Sequence, residues 1–342
     1  MAGTIDLSIV VPAYNEALRL PDGVARLDEA IAGGFIDPAT TEIVLVDDGS
    51  TDRTEARARE LLAHLPHARV LRQEPNRGKG SAIRRGVAEA TGRVIAFGDA
   101  DMAIDPDQFP LLVAALDRAD VAIGSRTLPG ARATGGSAHR RAMGRVFNRM
   151  VNALTKLDIG DTQCGFKGFR APAARLLFHC AVIDGFAFDV ELLFAARQLG
   201  LRIEEVPVRW RNVRGTRIRP FADPFVMAGD ILGGWVRRRP RAPIPALVVG
   251  PSAPGSPAAV CLALDAAGPS LPVLEEADGG ATILFPLGGR REIERVARDL
   301  TSAGAGGAGA LCQVSVSFAA LRARSPLRLA GTAPSAGGPA PA

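Results

Sequence analysis

The chain has 342 residues, of which 47% are hydrophobic and 23% charged, so it can form one large α/β domain or two smaller ones. Its formal charge of +5 suits an anionic partner, such as a nucleotide, a phospholipid or a nucleic acid, without choosing among them. The four cysteines are too widely spaced for a zinc site or a disulfide framework, and the sequence shows neither a signal peptide nor a run of roughly 20 apolar residues that could span a bilayer. We therefore expect a cytoplasmic protein.

Short apolar runs alternate with helical patterns along the first two-thirds of the chain. The runs predict strands at 7–11, 43–46, 68–72, 93–97, 121–123 and 203–208. The stretches between them predict helices at 17–32, 51–65, 80–90, 147–155, 173–177 and 190–199. This alternation indicates an α/β fold with a mainly parallel sheet and helices on both faces. Because ligands bind beyond the carboxyl ends of such strands, the polar residues that follow them are expected to converge.

Two segments depart from this pattern. Residues 127–142 are rich in Gly, Arg and Ala and predict a mobile loop. Beyond residue 240 the composition shifts to Gly, Ala, Pro and Ser, and the end of the chain is of low complexity. We therefore divide the chain into a catalytic domain over 1–240 and a partly disordered extension over 241–342. Within the extension, 281–285 and 291–300 predict one strand–helix unit.

Two carboxylates follow the fourth predicted strand directly. Asp99 and Asp101 stand two residues apart on a loop, where both can serve one phosphate-bound cation. Mg²⁺ and Mn²⁺ are hard ions that prefer oxygen ligands and keep substrate phosphates in their coordination shell. The alternative is a turn built on Asp side chains, a pattern that also arises by chance.

Polar clusters around the second and third predicted helices and after the first strand can complete a nucleotide site. Tyr14 can flank a base, Glu16 can bind a hydroxyl or base edge, and Asp48 can accept from a base N–H group. Lys79, between two glycines at a helix start, suits a phosphate or a ribose. The alternatives are a capping box after the first strand and an N-cap after the second. The sequence has no Walker A loop, no G-x-G-x-x-G after the first strand and no G-x-S-x-G elbow.

In chain order these motifs resemble glycosyltransferase family 2: VPAYNE, VDDGSTD, NRGKG, GDADM, GSR, DTQCGFKGF, FDVELLF and VPVRW. The resemblance covers residues 6 to about 238, and residues 161–167 and 188–191 are most similar to dolichyl- and polyprenyl-phosphate hexosyltransferases, particularly dolichyl-phosphate β-glucosyltransferases. It implies a GT-A nucleotide-sugar-binding fold. It also implies inverting, Mg²⁺- or Mn²⁺-assisted transfer of a hexose, with UDP-glucose favoured, to a polyprenyl phosphate. Members often carry a membrane anchor, for which this sequence offers no candidate, and usually end near residue 240.

The resemblance also implies a role for each site residue. The nucleotide would be lined by Pro12, Tyr14, Glu16, Asp48 and Lys79, with Asp99 and Asp101 on the ribose and metal and with Arg209 and Arg217 over the diphosphate. The acceptor phosphate would face Ser125, Arg126 and Arg140 or Arg141, and the donor sugar would lie beside Asp161 and Gln163. A phosphate acceptor is already ionised at neutral pH, whereas an alcohol would need a general base, for which Asp161, Asp189 and Glu191 are candidates. The alternative for Asp189 and Glu191 is a helix cap and a solvated turn.

Other functions stay open at this point. One is a GDP-mannose donor or a non-lipid acceptor, a second is a nucleotide-binding regulator without catalysis, and a third is a nucleic-acid-binding protein. The intact Asp99 and Asp101 argue against the second, and the two Trp, one Tyr and absence of a known module argue against the third. We expect peripheral binding to the cytoplasmic membrane leaflet through the basic stretch 235–239. The alternative is a solvated helix end, because only three of the 41 basic residues are Lys and Arg is common throughout.

Overall fold

The computed structural model describes residues 4–135 and 138–211, residues 227, 229 and 230, and five short strands further along the chain. The chain divides into two compact units, Met1–Arg241 and Ala242–Ala342. Among the described residues, no helix combines the length and apolar character needed to cross a membrane. The predicted basic stretch 235–239 and Arg217 lie outside the described residues.

The first unit alternates strands and helices. Its strands are β1 Leu7–Ala13, β2 Thr41–Asp47, β3 Ala68–Arg72, β4 Val94–Phe97, β5 Val121–Ser125, β6 Arg132–Thr134, β7 Lys167–Arg170, β8 Ile203–Pro207 and β9 Arg209–Arg211. Its α-helices are α1 Leu20–Ala32, α2 Thr54–Leu62, α3 Lys79–Glu89, α4 Phe109–Ala115, α5 Ala138–Thr155, α6 Ala171–Cys180 and α7 Phe188–Gln198, and a 3₁₀ turn covers Pro106–Gln108.

Seven of the described strands form one sheet in the order β3-β2-β1-β4-β7-β5-β8. Four of its six neighbouring pairs are parallel, and β7 runs antiparallel to both β4 and β5. The predicted α/β fold with a mainly parallel sheet is confirmed. Strand β7 was not predicted, because its four residues, KGFR, include a glycine and two charged side chains and show neither a long apolar run nor strict alternation.

Continuous apolar runs explain the centre of the sheet. In β1 and β2 almost every residue is buried, as expected for strands covered by helices on both faces. Helix α1 covers the sheet with Leu20, Val24 and Leu27, whose spacing places them on one helical face. The parallel pairing of β1 with β2 and β4 brings the carboxyl ends of these three strands to the same edge of the sheet.

The element boundaries differ from the prediction mainly around α5. The loop expected over 127–142 contains strand β6 and the first residues of α5, which begins at Ala138 rather than at residue 147. The first half of this helix carries basic residues and Gly144, so its apolar periodicity is weak. Helix α2 is shorter than predicted, because residues 51–53 belong to the turn after β2.

The described part of the second unit is a five-stranded antiparallel sheet in the order β13-β10-β12-β11-β14. Its strands are β10 Ile244–Val249, β11 Pro272–Glu275, β12 Ala281–Leu284, β13 Leu311–Val314 and β14 Leu327–Leu329. Strand β12 coincides with the strand predicted at 281–285. The helix predicted at 291–300 lies outside the described residues.

Candidate active site

The polar segments that follow β1, β2 and β4 meet at one cavity of about 650 Å³. This is the convergence predicted from the sequence, and it follows from the parallel pairing of those strands. The predicted site residues that line the cavity are Pro12, Tyr14, Glu16, Asp48, Lys79, Asp99, Asp101, Arg126, Gln163 and Asp189. The cavity is therefore lined on one side by residues at the strand ends and on another by Gln163, which precedes β7, and Asp189, at the start of α7.

The carboxylates of Asp99 and Asp101 stand beside two cations. Lys79 Nζ donates to Asp99 Oδ1 at 2.6 Å, and Arg19 Nη1 donates to Asp101 Oδ2 at 3.1 Å. Burial and the neighbouring Asp99 charge raise the pKa of Asp101, although Arg19 opposes them. Burial lowers the pKa of Lys79, but the charges of Asp99 and Asp189 outweigh it, so the net pKa is raised and the ammonium stays charged.

Asp48 organises the turn that leads into α3. Its carboxylate accepts from the backbone N–H groups of Arg77 at 2.9 Å and Gly78 at 2.8 Å. Gly78 has φ of 107°, a conformation that favours glycine. Asp48 thereby sets the position of Lys79 at the first residue of α3, and it also lines the cavity. Its predicted contact with a base stays a prediction.

The segment after β1 is held by the turn after β2. The backbone N–H of Glu16 donates to Thr54 Oγ1 at 2.7 Å, and the carboxylate of Glu16 pairs with Arg19. Asn15, at φ of 52°, accepts from the backbone N–H of Thr51 at 2.7 Å. The capping-box alternative is wrong, because α1 begins at Leu20 without a side-chain cap. Tyr14 lines the cavity and is partly exposed.

Arg126 and Asp161 form a bidentate pair. Arg126 Nε donates to Asp161 Oδ2 at 2.6 Å and Nη2 donates to Oδ1 at 2.9 Å, while the guanidinium lies 5.7 Å from the centre of the Trp210 ring. Burial raises the pKa of Asp161, but the hydrogen bonds and charge of Arg126 outweigh it, so the net pKa is lowered. Burial lowers the pKa of Arg126, but the hydrogen bonds and charge of Asp161 outweigh it, so the net pKa of Arg126 is raised.

Arg126 was predicted to act beside Asp161 in catalysis and beside Ser125 at the acceptor phosphate, but only Arg126 reaches the cavity. Arg126 lines the cavity, whereas Asp161 is buried behind it and is not part of the cavity lining. Ser125 was predicted to face the acceptor phosphate, but its side chain is fully buried and its hydroxyl lies 3.1 Å from Thr127 Oγ1. Neither residue therefore contributes to the cavity surface, and Asp161 instead holds Arg126 in place.

Gln163 occupies the cavity wall on a segment that Lys167 holds in place. The fully buried Lys167 Nζ donates to the carbonyl oxygens of Thr162 at 3.1 Å and Cys164 at 2.7 Å, on either side of Gln163. Gln163 Nε2 is buried without a hydrogen-bond partner among the described residues. An unpaired amide donor is unusual in a protein interior.

Asp189 lines the cavity from the first turn of α7. Its Oδ1 lies 2.8 Å from Lys167 Nζ, and burial raises its pKa even though Lys167 and Lys79 oppose the shift. Glu191 accepts from the backbone N–H groups of Val182 and Ile183, each at 2.9 Å. The alternative of a helix cap and a solvated turn is therefore wrong for both carboxylates.

The family comparison decides the class of protein. The sequence model described as Glycosyl transferase family 2 matches residues 8–178. The chain belongs to glycosyltransferase family 2. The family resemblance and the hexosyltransferase class predicted from the motifs are confirmed, and the polar cavity is the candidate active site of that enzyme.

Curated relatives align with about two-thirds of the chain. A dolichyl-phosphate beta-glucosyltransferase from Drosophila melanogaster is 39% identical over 253 residues, which are 68% of this chain and 76% of that protein. The Homo sapiens protein of the same name is 36% identical over 246 residues, 67% of this chain and 74% of that protein. A solved structure of similar fold is glucosyl-3-phosphoglycerate synthase from Mycobacterium tuberculosis, in complex with Mn²⁺, uridine-diphosphate and glucosyl-3-phosphoglycerate. It aligns with a TM-score of 0.51 and 22% sequence identity, and the alignment covers 71% of this chain and 84% of that one. This last likeness concerns the fold, and it agrees with the predicted GT-A fold.

Residues that the family resemblance assigned to the phosphates fall into three groups. Arg126 lines the cavity. Arg209 is not part of the lining and pairs instead with Asp107, with Asp105 3.9 Å away. Arg140 and Arg141 lie on α5, but their side chains are outside the described part of the chain, as is the whole of Arg217.

Sequence reasoning missed several residues of this glycosyltransferase site. Arg19 follows Glu16 by three residues, and this spacing of opposite charges could have predicted the ion pair between them. Lys167 was part of a recognised motif but had no role, although a lysine between a phenylalanine and a glycine in an apolar segment is unusual. Aromatic side chains of the lining gave no signal, because apolar residues usually indicate core: Phe109, Phe166, Phe186 and Trp210.

The acidic pair supplies oxygen ligands of the kind that a divalent cation prefers, and both residues line the cavity. A Cβ atom at Gly165 would lie 2.7 Å from Asp99 Oδ2, so only a glycine lets the backbone pack this closely against that carboxylate. Across the described residues, no group of three or more His, Cys, Asp or Glu side chains could hold a metal by itself. A cation at Asp99 and Asp101 would therefore need ligands from a substrate, as Mg²⁺ sites commonly do.

Proposed function

We propose that this enzyme transfers glucose from UDP-glucose to a polyprenyl phosphate, with inversion at the anomeric carbon and with Mg²⁺ or Mn²⁺. The observation that carries the proposal is the meeting of the Asp99–Asp101 pair, Lys79, Arg126 and Gln163 at one cavity. Curated relatives named dolichyl-phosphate beta-glucosyltransferase, at 32–39% identity over two-thirds of the chain, support the sugar and the acceptor. Complexes of the fold relative with Mn²⁺ and UDP-glucose support the metal and the donor.

The acidic pair is suited to the leaving group. Departure of UDP places negative charge on the diphosphate. Asp101 and Asp99 would hold a divalent cation, which would supply neutralising charge there. Lys79, which stays protonated beside Asp99, adds a second positive group. Gln163, which lines the cavity, would lie beside the donor sugar.

Arg126 is suited to an anionic acceptor. Its contacts with Asp161 use Nε and Nη2, so within the described structure Nη1 remains for a phosphate oxygen. A phosphate monoester has its second pKa near 6 and is mostly ionised at neutral pH, so its oxygen attacks without a general base. Asp189, whose pKa is raised, would matter as a base if the acceptor were an alcohol.

The proposed acceptor is insoluble in water, so we also propose that the enzyme works as a peripheral protein on the cytoplasmic leaflet. The positive formal charge of the chain supports attraction to an anionic leaflet. The basic stretch 235–239 stays a candidate contact.

A matrix of donors and acceptors tests the proposal. Labelled UDP-glucose and GDP-mannose are each incubated with a polyprenyl phosphate, a polyprenol and a water-soluble phosphate monoester, in Mn²⁺, Mg²⁺ or EDTA. We expect label in the lipid phase only with UDP-glucose and polyprenyl phosphate, and none in EDTA. Transfer from GDP-mannose would instead favour a mannosyl donor. Transfer to the soluble phosphate alone would favour a non-lipid acceptor.

Asp101→Asn tests the metal role within the same matrix. The variant should lose activity about 100-fold or more, because several kcal/mol of charge stabilisation depend on the bound cation. Asp117→Asn, a change of the same kind at an exposed position outside the cavity, is the matched control and should keep the wild-type rate. Full activity of the wild-type enzyme after chelation would remove the metal from the proposal.

A further inference from the structure

Helix α5 presents an apolar strip to solvent. Val146, Met150 and Leu154 are 66%, 36% and 43% exposed. They follow one another at intervals of four residues, so they lie along one side of the helix. Exposed apolar side chains scattered singly are ordinary, but a continuous row along one helix marks an interaction surface.

The opposite side of α5 is fixed to the protein. Val151 and Thr155 are buried there. Asn148 Nδ2 donates to the carbonyl of Ile159 at 2.8 Å, and Asn152 Nδ2 donates to the same carbonyl at 2.8 Å. The helix therefore cannot turn its apolar strip inward without breaking these contacts.

The charge of α5 indicates what the strip contacts. The helix contains Arg140, Arg141, Arg145 and Arg149 and no acidic residue. Both Arg145 and Arg149 are exposed, and Arg149 borders the strip because it follows Val146 by three residues. An apolar row bordered by cations, without carboxylates, is the composition of helices that lie in the headgroup region of anionic membranes. The strip runs from residue 146 to residue 154, a rise of about 12 Å, which is short for a stable protein interface of about 800 Å² per partner.

We infer that α5 is the surface by which the enzyme rests on an anionic lipid layer, an inference that depends on the proposed lipid-phosphate acceptor. The connection to the site is direct. Asn148 Oδ1 accepts from the backbone N–H of Thr162 at 3.0 Å, and the next residue, Gln163, lines the cavity. Because a helix with its side chains is about 10 Å thick, the cavity wall lies about one helix diameter from the lipid surface. An acceptor phosphate at the headgroup level needs this proximity.

Vesicle co-sedimentation of the full chain tests the inference. The variant is Val146→Glu with Met150→Glu, at exposed positions of a helix that glutamate favours, and circular dichroism checks its fold. The matched control is Leu18→Glu with Leu111→Glu, which adds the same charge at positions that are 93% and 48% exposed elsewhere. On vesicles of phosphatidylcholine and phosphatidylglycerol at low salt, wild type and control should bind, and the variant should bind about tenfold or more weakly. Equal binding of variant and wild type, or no binding of wild type, would overturn the inference.

A comparison of acceptors separates this inference from the proposed function. The variant should keep the wild-type rate on a short, water-soluble prenyl phosphate and lose about tenfold or more on a long-chain acceptor embedded in vesicles. Loss on both acceptors by the variant alone would overturn the membrane role of α5. Failure of the wild-type enzyme on both acceptors would reject the proposed function, while the vesicle-binding result would stand independently. If the variant instead converts a wild-type dimer to a monomer in light scattering, the strip binds a second copy and the inference is wrong.

Discussion

Lys167 joins two parts of the cavity wall through one buried charge. It contacts the carbonyls of Thr162 and Cys164 and the carboxylate of Asp189, all within 3.1 Å, and its ammonium lies 5.9 Å from the Phe97 ring centre. A buried ammonium is tolerated when its donors are satisfied and an opposite charge is close. Lys167 thus fixes the position of the segment that contains Gln163 relative to the start of α7.

Replacing Lys167 should separate stability from activity. Lys167→Met leaves Asp189 buried and unpaired, so the free energy of unfolding should fall by about 3 to 5 kcal/mol. Adding Asp189→Leu removes the unpaired charge and should recover most of that stability, but activity should stay low because Asp189 lines the cavity. Urea unfolding and transfer assays on both variants measure this. A single variant that loses less than about 1 kcal/mol would contradict the role given to the buried charge.

The pair of Arg126 and Asp161 predicts a pH dependence. The pKa of Asp161 in the folded protein lies below its ordinary value of 3.8, because contacts with Arg126 outweigh burial. Its contribution to stability is therefore fully present above pH 3.8 and is lost as pH falls through the lowered pKa. The free energy of unfolding of wild type should exceed that of Asp161→Asn by about 2 kcal/mol from neutral pH to about pH 5, and the difference should shrink below about pH 4. A difference that grows in acid would contradict this sign.

Among the elements, helix α1 supports the acidic loop after β4 directly. A Cβ atom at Gly23 would lie 2.1 Å from the carbonyl oxygen of Ala100, so only glycine permits this approach. Arg26 Nη1 donates to the carbonyl of Met102 at 2.6 Å, and Arg19 binds Asp101. The position of the two carboxylates thus depends on how α1 packs.

Two glycine substitutions test this dependence. Gly23→Ala should lower the free energy of unfolding by about 1 to 3 kcal/mol through overpacking, and it should reduce cation-dependent activity further by moving the acidic loop. Gly144→Ala, in α5 with no atom near its Cβ position, should instead stabilise the protein by about 0.5 to 1 kcal/mol and leave activity unchanged. Thermal unfolding and metal titration of activity give both readouts. Equal behaviour of the two variants would show that Gly23 does not support the loop.

At the scale of the whole molecule, the described residues that line the cavity all belong to the first unit. A chain that ends at residue 241 should therefore fold and transfer sugar to a short, water-soluble prenyl phosphate at a rate close to that of the full chain. Circular dichroism and the transfer assay test this, and UDP with Mn²⁺ should raise the Tm of both chains by the same amount. Loss of the Tm shift in the shorter chain would mean that the extension completes the donor site.

The sequence by itself determined the class of fold and the place of the site. Alternating strand and helix patterns require a mainly parallel sheet, and strand ends in such a sheet meet, so the convergence of Asp48, Lys79 and Asp99 followed from local patterns. The order of the motifs was enough to predict the enzyme family. These features depend on residues close together in the chain, which periodicity and turn chemistry describe well.

Only the tertiary structure decided which predicted residues reach the cavity. Asp161 is hidden because Arg126, 35 residues earlier, binds it from the cavity side, and Lys167 is buried because β7 enters the sheet between β4 and β5. The outward strip of α5 likewise depends on where its asparagines find carbonyl partners. Burial, pairing and pKa are set by neighbours distant in sequence, and local spacing carries no information about those neighbours.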